Sequence, residues 1–377
     1  MWLVPALRFP EFTDEWKEVL FASNLERLEN GANYNTNDKD GVPMSRIETI
    51  STGRIDYTKV GHCSTPQKIE HYIMRYGDIL FSHINSLKHI GKTAYYSAEE
   101  PLYHGMNLLL FRCKNNVDSK FFFFLINNTH FIRKCQILAK QAVNQASIST
   151  SDLKKIKVYI PDINEQSKIQ KFLSLIEKRI ELQNKIIEDL KKLKSALYQE
   201  MFGSLVAPTL KLGQVAEIVK GKQVNGTELL EQGDYYVMNG GTLPSGWLNN
   251  FNTEANTISI SEGGNSCGYV QYNTSPYWSG GHCYSLKILH PKKTSDLYLY
   301  HFLKWQEENI MALRIGSSLP NIQKKDLLRF PIILPTITQQ NKIVSILSAI
   351  EVKVSCEISI TKYFIKQKEY LLGQLFI

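Results

Sequence analysis

The sequence predicts an α+β chain: two mixed domains held apart by two long helices packed as an antiparallel coiled coil, with the whole arranged as a pseudo-twofold internal repeat. Three observations carry this. The segment SDLKKIKVYIPDINEQSKIQKFLSLIEKRI, from Ser151, returns from Lys325 as KDLLRFPIILPTITQQNKIVSILSAIEVKV. No glycine or proline interrupts the chain from Asn164 to Phe202, and an apolar 4-3 spacing runs through it. Ahead of each helix lie short β-branched and aromatic runs bounded by Gly, Asn and Ser, as strands are.

The repeat sets the domain order. Asp152, Leu153 and Pro161 match Asp326, Leu327 and Pro335, and Gln166, Lys168, Ile169, Leu173, Ser174, Ile176 and Glu177 recur as identical residues in the same register. LYQEMF at 197–202 answers LLGQLF at 371–376. Upstream the copies agree more loosely, ILFSHINSLKHIGKTAYY standing opposite ISISEGGNSCGYVQYN and YHGMNLLLF opposite WSGGHCYSL. The expected division is a first domain at 1–157, a first long helix at 158–205, a second domain at 206–331 and a second long helix at 332–377.

Each helix carries a seam. In the first it reads Ile169, Leu173, Ile176, Ile180, Gln183, Ile187, Leu190, Lys194, Leu197 and Met201. In the second it reads Ile343, Leu347, Ile350, Val354, Glu357, Thr361, Phe364, Lys368, Leu371 and Leu375. A sustained 4-3 apolar seam marks a coiled coil, and polar residues within it fix register at a cost in stability. A core helix in each domain is the plainer alternative, set against the globular average of about 11–12 residues per helix. At 1.5 Å per residue each helix is about 58 Å long. Antiparallel packing would place the domains at opposite ends, as two readers with a fixed separation, and such readers suit a twofold duplex site with an unread spacer.

Composition narrows the function. At 377 residues, with 43% hydrophobic and 21% charged content, the chain suits a globular protein of two or more domains. No run approaches the ~18 apolar residues of a membrane span, and MWLVPALRFPEF lacks the basic region and cleavage site of a signal peptide. Six cysteines without a C-x-x-C pair suit a reducing cytoplasm. His282, Cys283 and Cys267 imitate part of a zinc site but lack a fourth ligand at sensible spacing, so no metal or cofactor is expected. A net charge of +8 suggests a polyanionic partner.

One stretch imitates a nucleotide site. GDILFSHINSLKHIGKTAYY, at 77–96, ends a strand-like run and closes on Gly91, Lys92 and Thr93. A phosphate loop needs a glycine where Ser86 stands and a helix where Thr93 to Tyr96 read as a strand. The second copy has CGYV at that place, so a basic, polar loop after a strand is the better description.

These features together resemble the specificity subunit of a type I restriction–modification enzyme over nearly the whole length. The resemblance is carried by LRFPEF with Trp16, by GDILFS, by the two helix starts, by the terminal LLGQLF, and by VKGKQVNG…YYVMNGGTLPSGW…ISISEGGNSCGYV…YWSGGHCYSL in the second domain. It implies two target-recognition domains, each reading one half of a bipartite duplex DNA target. It also implies helices that dock two adenine methyltransferase (modification) subunits, with nuclease/translocase (restriction) subunits joining outside them, and no catalysis by the chain itself. The Glu165-Gln166 pair is Gln339-Gln340 in the second copy, which sets aside a shared charged role. Independently, the sequence lacks the N-P-P-[YF] or D-P-P-Y tetrapeptide of an amino-methyltransferase and any glycine-rich cofactor fingerprint after a strand. PDINEQSK has the wrong spacing for a P-D…(D/E)-x-K nuclease.

The candidate DNA contacts are two loops per domain. Ser82, His83, Asn85, Lys88 and Lys92 stand opposite Glu262, Asn265 and Ser266; Lys140, Gln141 and Asn144 stand opposite Arg314 and Ser317. Base edges are read by Asn/Gln on adenine, Arg/Lys on guanine and Glu/Asp on cytosine N4, while phosphate contacts are as common. Lys222, Asn239 and Arg54 are weaker candidates. Ordinary solvated loops, and for the second pair a helix-capping turn, are the alternatives. FFFFLI (121–126) and LYLYHF (297–302) read as domain-packing helices rather than stacking platforms. A coiled-coil scaffold with protein-binding end domains is the rival function.

Overall fold

The computed structural model describes residues 4–33, 40–64, 69–142, 145–316 and 320–377. The chain divides into two compact units, Met1–Asn184 with Ser359–Ile377, and Lys185–Ile358, so each long helix contributes to both.

In the first unit, four antiparallel strands lie in the order Leu25–Asn30, Leu109–Cys113, Ile79–Phe81, Thr93–Tyr95. The second unit repeats that order with Ala216–Lys220, Cys283–Ile288, Thr257–Ser261 and Val270–Asn273. Side chains alternate faces along a strand, and this explains why the first copy reads as an unbroken apolar run. Ile79 and Phe81 enter the main core, while Leu80 enters a second cluster with Met74, Ala94, Leu102 and Leu110. In the second copy only one face is apolar: Ile258 and Ile260 are core, while Ser259 accepts a hydrogen bond from Asn273 Nδ2 (2.9 Å).

A short helix packs on each sheet. Ser119–Ile126 is capped by Asp118, whose carboxylate accepts from the Lys120 and Phe121 N–H groups, and buries all of Phe121 to Ile126. Asp296–Trp305 is capped by Ser295. Both phenylalanine- and tyrosine-rich runs are therefore packing helices. The strand just ahead of each long helix, Lys157–Ile160 or Pro331–Ile333, pairs antiparallel with the domain's opening strand, Lys17–Leu20 or Thr209–Lys211.

The long helices span Ile163–Gly203, 41 residues, and Ile337–Leu375, 39 residues. Each begins two residues after its proline, with Asp162 or Thr336 turning a side-chain oxygen onto the first-turn N–H groups. A buried glutamine then fastens the helix to its domain. Gln166 donates to the Pro161 carbonyl (2.9 Å) and accepts from the Asp118 N–H (3.0 Å). Gln340 donates to the Pro335 carbonyl (2.8 Å) and accepts from the Ser295 N–H (2.8 Å). The residue before each glutamine differs. Glu165, fully buried, is paired with Arg8 at 2.7 Å, whereas Gln339 caps Thr336.

Every seam position is buried or half-buried. Within the first unit the two helical segments run antiparallel: Glu177 pairs with Lys368 (2.7 Å) and Arg179 lies over the Phe364 ring. The second unit shows the same polarity, Lys194 pairing with Glu351 (2.6 Å) and Tyr198 reaching back through His301 to Ser348. These two ion pairs are one pair written twice, with lysine and glutamate exchanging helices. The ends of the seams are domain core as well. Ile169, Leu173 and Leu371 join Trp16, Phe121 and Phe376, while Ile343 and Leu347 join Phe202 and Tyr298.

Candidate nucleic-acid interface

The interface is built outward from the central strands. After Phe81 the loop closes on itself: the Ser82 N–H donates to the Lys92 carbonyl (2.8 Å) and the Gly91 N–H to the Ser82 carbonyl (3.0 Å). In the second domain the Ser261 N–H donates to Tyr269 (2.9 Å) and the Gly268 N–H to Ser261 (2.8 Å). Both closing glycines have positive φ, 87° at Gly91 and 92° at Gly268, a conformation that glycine adopts without steric cost. The apparent phosphate loop is thus a strand-closing turn that leads into Thr93–Tyr95, and the Lys92 ammonium donates to the Ser51 carbonyl at 2.8 Å.

The second loop of each domain is knit to the first. Ile84–Asn85 pairs with Gln145–Ser147, which pairs in turn with Lys140–Ala142, and the Ile148 N–H donates to the His83 carbonyl (2.9 Å). In the second domain the Gly264 N–H donates to Pro320 (3.0 Å) and the Ile322 N–H to the Glu262 carbonyl (2.8 Å). Two stretches far apart in sequence become one surface, at the same place in both domains.

On the first surface Lys88, Lys140 and Gln141 are exposed and Asn85 is half-buried, its amide oxygen accepting from the Ser86 N–H. Ser82 and His83 are buried beneath them. Burial lowers the His83 pKa to about 4, so the ring is neutral near pH 7. On the second surface Asn265 and Arg314 are exposed and Ser266 is half-buried. Glu262 Oε1 accepts from Lys220 (2.7 Å) and from the Tyr284 hydroxyl (2.9 Å). Asn239 accepts from the His282 N–H (3.0 Å), and the His282 carbonyl accepts from the Glu262 N–H (2.9 Å), so Asn239 props this site from behind. Lys222 is exposed and lines a cleft with Lys220, Asn252 and Lys287. Arg54 reaches Glu181 of the first long helix at 3.9 Å. Asn144 and Ser317 lie outside the described residues.

Lys220 and Tyr284 were invisible in the sequence as partners of Glu262. They are cross-strand neighbours in the register of the sheet, and a local motif carries no register. Among the described residues no group of His, Cys, Asp and Glu is arranged to hold a metal. Buried thiols are pushed up, Cys135 to about 12 and Cys283 to about 11, which removes them as nucleophiles. No described helix is long and apolar enough to cross a membrane.

Two domains built alike, presenting different side chains around the same pair of loops, define a recognition chain with two equivalent sites. Its sequence matches the type I restriction modification DNA specificity domain twice, over residues 18–192 and 208–362. It is 31% identical to a putative type I restriction enzyme specificity subunit of Methanocaldococcus jannaschii, across 90% of this chain and 88% of that one. Its fold is similar to the crystal structure of a type I restriction–modification S subunit from M. genitalium (TM-score 0.64, 18% identity, 99% of each chain). It is also similar to a chain of a type I system solved for its complex assembly and conformational transition (TM-score 0.60, 15% identity, 96% and 97% covered). The chain belongs to the family of type I restriction–modification specificity subunits, which are noncatalytic.

Proposed function

We propose that the recognition domains, 1–157 and 206–331, each read one half of a split duplex DNA target through the paired loops. The long helices dock two adenine methyltransferase subunits, and restriction subunits join that core in the cytoplasm. The observation that carries this reading is the repeated loop pair: the same backbone arrangement presents Lys88, Asn85, Lys140 and Gln141 in one domain and Glu262, Asn265 and Arg314 in the other. Two readers of different half-sites need that combination, a constant scaffold with variable donors and acceptors. Methylation requires the base to be extruded into a catalytic pocket, and that work falls to the modification subunits.

The test is a genome-wide adenine-methylation map in a host that supplies the modification subunit, with and without this chain. A split motif that appears only with the chain supports the reading and gives both half-sites and the spacer. No motif, with every subunit expressed and assembled, together with duplex affinity insensitive to salt, would overturn it in favour of a protein-binding scaffold.

A further inference from the structure

Ser82 and Ser261 follow or end equivalent strands, and the next residue is His83 in one domain and Glu262 in the other. Their backbones do the same work, each carbonyl accepting the N–H that ties down the second loop, from Ile148 or Ile322. Their side chains share a rarer property. His83 Nδ1 and Glu262 Oε2 are both buried without a hydrogen-bond partner. Buried polar atoms are seldom left so, because the lost hydration goes uncompensated. An orphan at the same position of both domains, inside the loop pair, marks a position built for a partner.

The two orphans have opposite chemistry. Glu262 is clamped through Oε1 by Lys220 (2.7 Å) and Tyr284 (2.9 Å). Its Oε2 is an oriented acceptor, and His282 Nδ1 stands 3.9 Å away, beyond hydrogen-bond range. His83 has no carboxylate partner, and burial keeps it neutral. With the ring proton on Nδ1 the orphan itself is a donor, and since a buried N–H without an acceptor is rarer than an under-used lone pair, His83 Nδ1–H is the group built to meet an acceptor. Beside Glu262, Gly264 has open space where a side chain would stand, and a base edge can approach the backbone there.

Building on the DNA-reading role above, we propose that His83 and Glu262 are the matched base-reading residues of the two domains. His83 donates to the acceptor edge of a purine, N7 or guanine O6, and Glu262 accepts from the amino group of cytosine or adenine. The same position thus reads opposite hydrogen-bond polarity in the two half-sites.

The experiment is the methylation map repeated with Glu262→Gln, Lys220→Met and His83→Phe in the full complex. E262Q replaces a pure acceptor by an amide that also donates. Methylation at the original sites should fall by about ten-fold or more, the usual effect of one wrong base contact, with one position of a single half-site changed and the other half-site intact. H83F should relax one position of the opposite half-site only. K220M removes the clamp but keeps the acceptor, and it should keep the same bases. The proposal is overturned if E262Q or H83F lowers methylation at all sites alike with both half-sites unchanged, or if K220M reproduces the E262Q motif. Should E262Q fail to assemble, H83F alone decides by the same criterion. Loss of any split motif with the unmodified chain would instead remove the DNA-reading role, and this assignment with it.

Discussion

Gln340 shows how much one side chain holds. Fully buried itself, its amide satisfies the Ser295 N–H that starts the packing helix and the carbonyls of Pro335 and Lys293. Gln340→Leu leaves these groups dry and unpaired, so we expect a loss of about 2–4 kcal/mol in urea unfolding; a loss below about 1 kcal/mol would refute the fastening role. His301 argues a second case. It is fully buried and accepts or donates between Tyr198 (2.9 Å) and Ser348 (3.3 Å). Burial lowers its pKa to about 4, against a smaller upward pull from Glu351. The folded value lies below the unfolded one of about 6.5, so the unfolded chain takes the proton first. The stability that depends on a neutral His301 is complete above about pH 6.5 and drains away as pH falls toward 4. His301→Phe should therefore start lower at pH 7.5, by about 1 kcal/mol for the lost hydrogen bond, yet fall less steeply across that window. An unchanged slope in melts at stepped pH would contradict the assignment.

At the scale of elements, the seam and its exchanged ion pairs make the next prediction. Burial alone would raise the Glu177 carboxyl, but Lys120 and Lys368 hold it below the usual range. The pair is about three-quarters buried, with side-chain exposures of 25% and 23%, so screening is incomplete and a coupling of about 1 kcal/mol is expected. A double-mutant cycle with Glu177→Gln and Lys368→Met measures it. The repeat demands a similar coupling from Lys194 and Glu351, within about 0.5 kcal/mol; a zero at one pair and a full value at the other would break the equivalence. The helices were legible in the sequence because their signals are local: a proline, a capping residue, then a glycine-free 4-3 spacing. The packing helices were legible because six consecutive apolar residues, Phe121 to Ile126, leave few other uses. What the sequence did not reveal depends on register between distant strands. Nothing near Ser82 announces that Ile84–Asn85 will pair with Gln145–Ser147, and nothing near Glu262 announces Lys220. The ends of the seams escaped for a related reason, since Ile169 and Ile343 satisfy the coiled-coil spacing and a domain core with the same side chains.

For the whole molecule, the proposed function turns helix length into a ruler. If the readers are separated by the two long helices, the unread spacer in the DNA must follow the helix rise. Four residues add about 6 Å and rotate the seam by little more than one full turn, so the apolar positions stay nearly in phase. Each base pair advances about 3.4 Å along the duplex, so four residues inserted after Asn184 should lengthen the tolerated spacer by one or two base pairs. The bases read should not change, because Glu262, His83 and their loops lie outside the insertion. Two residues inserted at the same point rotate the seam by about 200°, turning Ile187 and Leu190 outward, and should abolish assembly rather than reset the spacer. The methylation map reads both results directly. A spacer that stays constant with the four-residue insertion, in a complex that still methylates, would show that the helices carry partners but do not set the distance.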